Sequence, residues 1–210
     1  MENKELRRKA RELLGNKIFG NTWLVMLLTY FVVGLIIGAA GGTFVGGLIL
    51  SGPISYGLAR FAVNFIRSNG EEANKYEKLL DGFKEKFLDS LVLYLLMYAY
   101  ILLWSLLLII PGIIKSYAYS QAFYIMQDNP ELDAQEALNL SKKVMKGKKW
   151  KLFCLDLSFI GWYLLGMLCL GVGVLWVDPY QKVASALFYE ENVKEEVASL
   201  KLAKIEEVKE

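Results

Sequence analysis

The sequence predicts an all-α membrane protein with six membrane segments arranged as three helical hairpins. Hydrophobic residues make up 55% of the 210 residues, and three long stretches contain no charged residue: 18–59, 90–114 and 157–177. Each stretch is long enough to cross a hydrocarbon layer about 30 Å thick. A recurring pattern of glycine, lysine and proline around these stretches divides the chain into three similar units.

Two short motifs define the repeat. A glycine followed two residues later by a lysine precedes each apolar stretch, at Gly15, Gly82 and Gly147. A proline lies near the end of each stretch or just after it, at Pro53, Pro111 and Pro179. We therefore expect a single integral membrane domain over residues 1–210, with a pseudo-threefold internal repeat. Its units are approximately 1–70, 71–128 and 129–210.

Each unit is expected to open on an amphipathic helix. Apolar residues fall on one helical face in all three units: Leu6, Ala10, Leu13, Leu14 and Ile18; Tyr76, Leu79, Leu80, Phe83 and Phe87; Ala134, Ala137, Leu138, Val144 and Met145. Asp133 and Glu136 resemble a capping box at the start of the third helix. Two roles stay open for these helices. They either lie at the membrane interface with lysines toward anionic headgroups or pack on the protein as connectors.

In each unit an apolar helix is expected to cross outward and a helix starting at the proline to return. The first outer turn is expected between Gly41 and Pro53. Gly34, Gly38, Gly42 and Gly46 recur every four residues and suit either helix packing or the turn itself. Asp178 before Pro179 is interpreted as turn chemistry. The third return segment, from Pro179 to Tyr189, covers only about 16 Å, so it continues into the tail, lies beside a thinned bilayer or is re-entrant.

The distribution of positive charge predicts the orientation. Four polar segments hold 21 of the 24 basic residues: residues 4–17, 67–89, 128–156 and 190–210. Positively charged segments stay in the cytoplasm, so both termini and the charged tail 190–210 are expected inside a multi-pass cell-membrane protein. The turns near Gly42, Pro111 and Asp178 are then external.

The sequence offers little for catalysis. It contains no histidine, no metal-spaced cysteine pair, no phosphate-binding glycine loop and no nucleophile elbow. We therefore predict that the protein is not an enzyme, and that it has no catalytic residue, metal site or cofactor. The net charge is only +2, and no basic patch interleaved with aromatics points to nucleic acid.

The three remaining basic residues form the candidate site. Arg60, Lys115 and Lys182 each lie on a return helix, seven, four and three positions after its proline. This places them about 5 to 10 Å below the outer turn, where a charge must snorkel, pair or face a polar cavity. Snorkelling is one interpretation. Under threefold symmetry the three could instead form a cationic cluster that binds a lipid phosphate or another anion.

The C-terminal half resembles a known family. The stretch "PGIIKSYAYSQAFYIMQDNPELDAQEALNLSKKVMKGKKWKLFCLDLSFIGWYLLG", followed by "DPYQKVASALFYE", is similar to an uncharacterised bacterial integral membrane family, domain of unknown function 975. A weaker similarity runs to the membrane portion attached to some glycerophosphodiester phosphodiesterases, whose catalytic domain this sequence lacks. The resemblance implies a six-helix protein of the bacterial cell membrane and supplies no activity.

Two functions follow from these observations. The first is a non-enzymatic integral membrane protein that interacts with membrane lipids or with a membrane protein partner. The alternative is a transporter or a lipid- or anion-binding membrane protein with a central cationic site at Arg60, Lys115 and Lys182. The Pro-x-acid-x-x-base signature of mitochondrial-type carriers is missing from every unit, which weakens the transporter hypothesis.

Overall fold

The computed structural model describes residues 2–15, 20–40, 44–70, 79, 81–168, 171 and 173–209. These residues form eleven helices: α1 (Asn3–Leu13), α2 (Asn21–Ala40), α3 (Phe44–Arg67), α4 (Asp81–Lys84), α5 (Phe87–Leu107), α6 (Ile109–Tyr119), α7 (Ala122–Asp128), α8 (Ala134–Val144), α9 (Lys149–Leu168), α10 (Val174–Asn192) and α11 (Lys194–Lys209). No strand occurs within the described ranges. The all-α prediction is therefore confirmed.

Two of the described helices are long and apolar enough to cross a membrane, Phe87–Leu106 and Lys149–Leu168. A shorter apolar helical stretch covers Asn21–Ile36. The described residues thus support a membrane location with two candidate spans, and the six predicted segments are not established by helix length and composition.

The helices that adjoin each apolar connection contact each other, α2 with α3, α5 with α6, and α9 with α10. The connections are short. Leu108 alone separates α5 from α6, and its backbone is extended. Gly166 and Gly173 approach so closely near the α9–α10 connection that a Cβ on Gly173 would lie 2.6 Å from the Gly166 Cα.

The prediction that each return helix starts at its proline is correct for one unit only. Pro111 is the third residue of α6, in the first turn, where the missing N–H costs nothing. Pro53 and Pro179 instead lie inside α3 and α10, as their tenth and sixth residues. The helices therefore begin well before these prolines, and the three prolines are not equivalent. Asp178 lies in a helix, so its interpretation as a turn residue is wrong.

The core is centred on α10, which contacts α1, α2, α3, α9 and α11. Its buried residues include Val183, Ala184, Leu187, Phe188 and Tyr189. A second apolar cluster lies between α3, α5, α6, α7 and α8. Many apolar side chains of α2, α5 and α9 remain exposed at the surface of the protein.

The amphipathic helices α1 and α8 bury their apolar faces in the protein. All five residues predicted for the α8 face are buried: Ala134, Ala137, Leu138, Val144 and Met145. On α1, Leu6, Ala10 and Leu14 are fully buried against the core that contains α10. The apolar faces thus pack as connectors do. Ile18, Tyr76, Leu80 and Gly42 lie outside the described residues.

The glycines of the repeat motif differ in role. Gly15 and Gly147 follow α1 and α8 with φ values of +92° and +86°, the left-handed conformation that glycine adopts at helix ends. Gly82 lies in α4 with its Cα against the backbone of Pro53. The motif glycine therefore follows the C-terminal end of a helix in two units, and in the third it lies in a close contact between two backbones.

The predicted helix start at Asp133 is confirmed. Its Oδ1 accepts a hydrogen bond from the backbone N–H of Glu136 at 2.7 Å, and the Glu136 carboxylate accepts one from the backbone N–H of Asp133 at 3.4 Å. This reciprocal pair satisfies two N–H groups that the first helical turn leaves without partners.

Replacement Asp133→Ala is expected to destabilise the protein by about 1 kcal/mol, because one N–H of the first turn of α8 loses its acceptor. The measurement is the SDS concentration at half-unfolding in mixed detergent micelles, followed by far-UV circular dichroism. Asp133→Asn is the matched control and should stay close to wild type, since asparagine also caps helices. Equal losses in both variants would contradict the cap as the cause.

Candidate functional site

Large apolar side chains point outward along α2, α5 and α9. Exposed residues recur along each helix: Leu28, Phe31, Val32, Leu35 and Ile36; Leu88, Val92, Leu95, Leu102, Leu103 and Leu106; Leu157, Ile160, Leu164, Leu165, Met167 and Leu168. Water-soluble proteins rarely expose apolar patches of this extent. Surfaces of this kind mark contact with hydrocarbon or with a partner.

A basic groove of about 470 Å³ lies between α1 and the α9–α10 pair. Its lining contains four basic side chains, two aromatic rings and one carboxylate: Lys4, Arg7, Arg8, Arg11, Trp162, Tyr180 and Glu5. Positive charges outnumber the negative charge by three. We call this feature the α1 groove.

Hydrogen bonds and ion pairs hold α1 in place beside the groove. The Tyr180 hydroxyl donates to the Arg7 carbonyl at 2.9 Å, and the Asn3 side-chain amide donates to the Lys151 carbonyl at 2.8 Å. Lys9 pairs with Glu191 at 2.5 Å. These contacts tie α1 to both α9 and α10, so the basic side chains on its outer face project from a fixed helix.

The positive charge of the α1 groove is only partly compensated. Glu5 already accepts a hydrogen bond from the backbone N–H of Glu2 at the start of α1. Arg8 contacts Glu12 at 3.8 Å in an exposed pair that contributes little. The Nε of Arg7 is buried and has no hydrogen-bond partner among the described residues. Guanidinium groups in such a setting suit bidentate contact with phosphate or carboxylate.

The three cations predicted as a central site have separate surroundings. Arg60 pairs with Glu85 through its Nη1 at 2.5 Å. The Lys115 ammonium lies 4.4 Å from the centre of the Trp104 ring. Lys182 is exposed on α10. Neither the α1 groove nor the smaller groove between α2 and α10 is lined by any of the three.

The depth expected for Arg60 is wrong. Because α3 begins at Phe44, Arg60 lies about 24 Å along the helix rather than 5 to 10 Å. Lys115 lies about 9 Å from the start of α6, within the expected range, and Lys182 lies about 12 Å from the start of α10, slightly beyond it. The expected depth of Arg60 assumed that the return helix starts at Pro53. The sequence could not reveal that this helix begins earlier, at Phe44.

A chain of polar side chains links α9 to α10. Gln181 donates to the Asp156 carboxylate at 2.9 Å and accepts from the Tyr163 hydroxyl at 2.5 Å. The same hydroxyl lies 3.4 Å from the Asp178 carboxylate. Asp178 also lines the groove of about 270 Å³ between α2 and α10. Carboxylates in apolar helices are costly, and here hydrogen bonds within the helix pair stabilise them.

A third polar network joins the ends of three helices. Arg67 at the end of α3 contacts Asp128 at 2.6 Å and Glu190 at 2.6 Å. The Tyr189 hydroxyl donates to Asp128 at 2.9 Å, and Lys194 pairs with Glu190 at 2.9 Å. These contacts tie α3, α7 and α10 together at one end of the protein.

Part of the α1 groove was visible in the sequence. Lys4, Arg7, Arg8 and Arg11 have the 3-4-7 spacing of one helical face. That spacing indicates a basic face on α1, and the same residues contribute to the predicted orientation. The proximity of Trp162 to α1 has no local signal in the sequence, because the two lie more than 150 residues apart.

Comparisons with known proteins give a family and no activity. No curated protein and no solved structure matches the chain. The family described as "Protein of unknown function (DUF975)" matches residues 1–114 and 105–196, and this match does not show the weaker similarity to the membrane portion attached to some glycerophosphodiester phosphodiesterases. Because the match covers most of the sequence in both halves, the chain belongs to the DUF975 family.

Proposed function

We propose that this chain is a multi-pass integral membrane protein without enzymatic activity, whose role is to interact with membrane lipid. The observation that carries the proposal is the exposure of large apolar side chains along α2, α5 and α9. Transfer of such a surface from water to hydrocarbon is favourable by about 25 cal/mol per Å². The basic residues of α1 provide the complementary attraction to anionic headgroups.

The arrangement we propose has six membrane segments in three hairpins, formed by α2 with α3, α5 with α6, and α9 with α10. Contact within each pair supports it. Both termini and the segments rich in lysine and arginine then lie in the cytoplasm. The second return leg consists of α6 and α7, which are separated by Ser120 and Gln121.

Transport through a central cationic site receives less support. Arg60 is neutralised by Glu85, and Lys115 lies against the Trp104 ring. An anion path would need cations that share one cavity. We therefore place the lipid contact at the surface of the protein and not at its axis.

Cysteine labelling tests the membrane arrangement. In a background with Cys154→Ser and Cys169→Ser, Leu108→Cys is expected to react with an impermeant maleimide added to intact cells. Lys146→Cys is expected to react only after the cells are permeabilised. Leu108 is exposed at the α5–α6 connection, and Lys146 is exposed after α8. The background protein without an added cysteine is the control.

Labelling of Lys146→Cys in intact cells at the level of Leu108→Cys would contradict the arrangement. Release of the wild-type protein from membranes by alkaline carbonate would contradict the membrane proposal as a whole. Retention in the carbonate-washed pellet, together with the expected labelling, would support both parts.

A further inference from the structure

The α1 groove borders exposed apolar residues of α9. Trp162 lines the groove and is 46% exposed, and Leu165, three positions further on and therefore next to it on the helix, is exposed as well. A cationic pocket therefore opens directly onto an apolar strip. This juxtaposition is the pattern expected for a molecule with an anionic head and a hydrocarbon tail.

On the basis of the membrane function proposed above, we propose that the α1 groove binds the phosphate of an anionic phospholipid whose acyl chains lie along α9. Arg7, Arg8 and Arg11 provide the donors for the phosphate. Trp162 lies where the basic lining of the groove meets the exposed leucines of α9.

The charges of the groove select an anion. Arg7 presents a buried Nε without a described partner, and burial of an unsatisfied donor is costly unless a ligand accepts its hydrogen bond. Arg11 is held over the Tyr180 ring, with its Cζ 5.8 Å from the ring centre. Glu5 is occupied at the helix start. A phosphate would complete the hydrogen bonding of Arg7 and offset the net positive charge.

The apolar strip selects a lipid over a free phosphate. Inorganic phosphate would contact the arginines and leave Leu165 uncovered. The acyl chains of a phospholipid would cover it. The groove volume of about 470 Å³ lies in the range typical of ligand sites, which suits a headgroup.

Native mass spectrometry of the full-length chain, purified in a neutral detergent, tests the proposal. Dioleoyl phosphatidylglycerol, dioleoyl phosphatidylcholine and sodium phosphate are titrated separately. Phosphatidylglycerol is expected to bind at least about tenfold more tightly than phosphatidylcholine, because the groove attracts the net negative charge of the lipid. Sodium phosphate is expected to displace phosphatidylglycerol only weakly.

The first variant combines Arg7→Gln, Arg8→Gln and Arg11→Gln. Its matched control, Lys142→Gln, Lys143→Gln and Lys146→Gln, removes the same charge from exposed lysines at and just beyond the end of α8. The arginine variant should lose at least about tenfold in affinity for phosphatidylglycerol, while the lysine variant stays near wild type. Equal losses in both variants would show a general charge effect and overturn the groove as the site.

A second variant keeps the test decisive if the arginine variant does not fold. Trp162→Leu is expected to preserve folding, since the side chain is exposed, and to weaken phosphatidylglycerol binding severalfold. Unchanged binding in Trp162→Leu, or displacement by phosphate at equal affinity, would overturn the lipid assignment. If these results fail while the protein stays in carbonate-washed membranes, the groove is wrong and the membrane function stands.

Discussion

Replacement Gly82→Ala is expected to destabilise the protein by about 3 kcal/mol. A Cβ built on Gly82 would lie 2.1 Å from the carbonyl oxygen of Pro53 and 3.0 Å from its Cα. The atoms in the way belong to the backbone of α3, so no side-chain rotation can relieve the overlap. The segment containing α4 would have to move away from α3, and the buried contacts between them would be lost.

The measurement is the SDS concentration at half-unfolding in mixed micelles, compared with wild type. Gly161→Ala is the matched control, because a Cβ on Gly161 meets nothing within 4 Å and alanine favours a helix. We expect Gly161→Ala to leave stability unchanged or slightly raised. A stability loss below about 1 kcal/mol in Gly82→Ala would show that α4 does not pack against Pro53 as closely as described.

The features that could be predicted from sequence are those set by local spacing. The apolar face of α8 follows from residues three and four positions apart, and its start follows from Asp133 and Glu136. Both are confirmed. The buried face of α1, with Leu6 and Ala10 at its centre, follows from the same spacing.

The features that could not be predicted depend on contacts between distant segments. Proline usually occupies the first turn of a helix, which led to Pro53 as the start of α3. The helix extends nine residues further back, and Gly52 and Gly57 pack closely against the backbones of Ser90 and Leu79. Packing of this kind outweighs the local preference of proline, and spacing within one segment contains no information about it.

The candidate site likewise combines features that local spacing predicts with features that depend on contacts between distant segments. The basic face of α1 was available from the spacing of Lys4, Arg7, Arg8 and Arg11. The partner of Arg60 was not, because Glu85 belongs to a different unit of the proposed repeat and lies 25 residues away. Threefold symmetry would place the like charges together, whereas the fold gives Arg60 and Lys115 individual partners.

Replacement Arg67→Met is expected to be about as damaging as Gly82→Ala, for an electrostatic reason. The Asp128 and Glu190 side chains are only 12% and 15% exposed, and Arg67 contacts both. Methionine fills similar space but provides no charge or donor, so two partly buried carboxylates of like charge would face each other. Removal of one partner from such a network costs about 3 kcal/mol, because the remaining charges stay desolvated.

Unfolding in SDS mixed micelles measures this loss, with Arg8→Met as the control. Arg8 pairs with Glu12 at 3.8 Å with 74% of its side chain exposed, so its replacement should change stability by less than about 0.5 kcal/mol. The triple variant Arg67→Met, Asp128→Asn and Glu190→Gln removes the carboxylate charges as well and should regain at least half of the lost stability. If Arg67→Met unfolds at the wild-type SDS concentration, or the triple variant is less stable than the single one, then the network does not hold α3, α7 and α10 together.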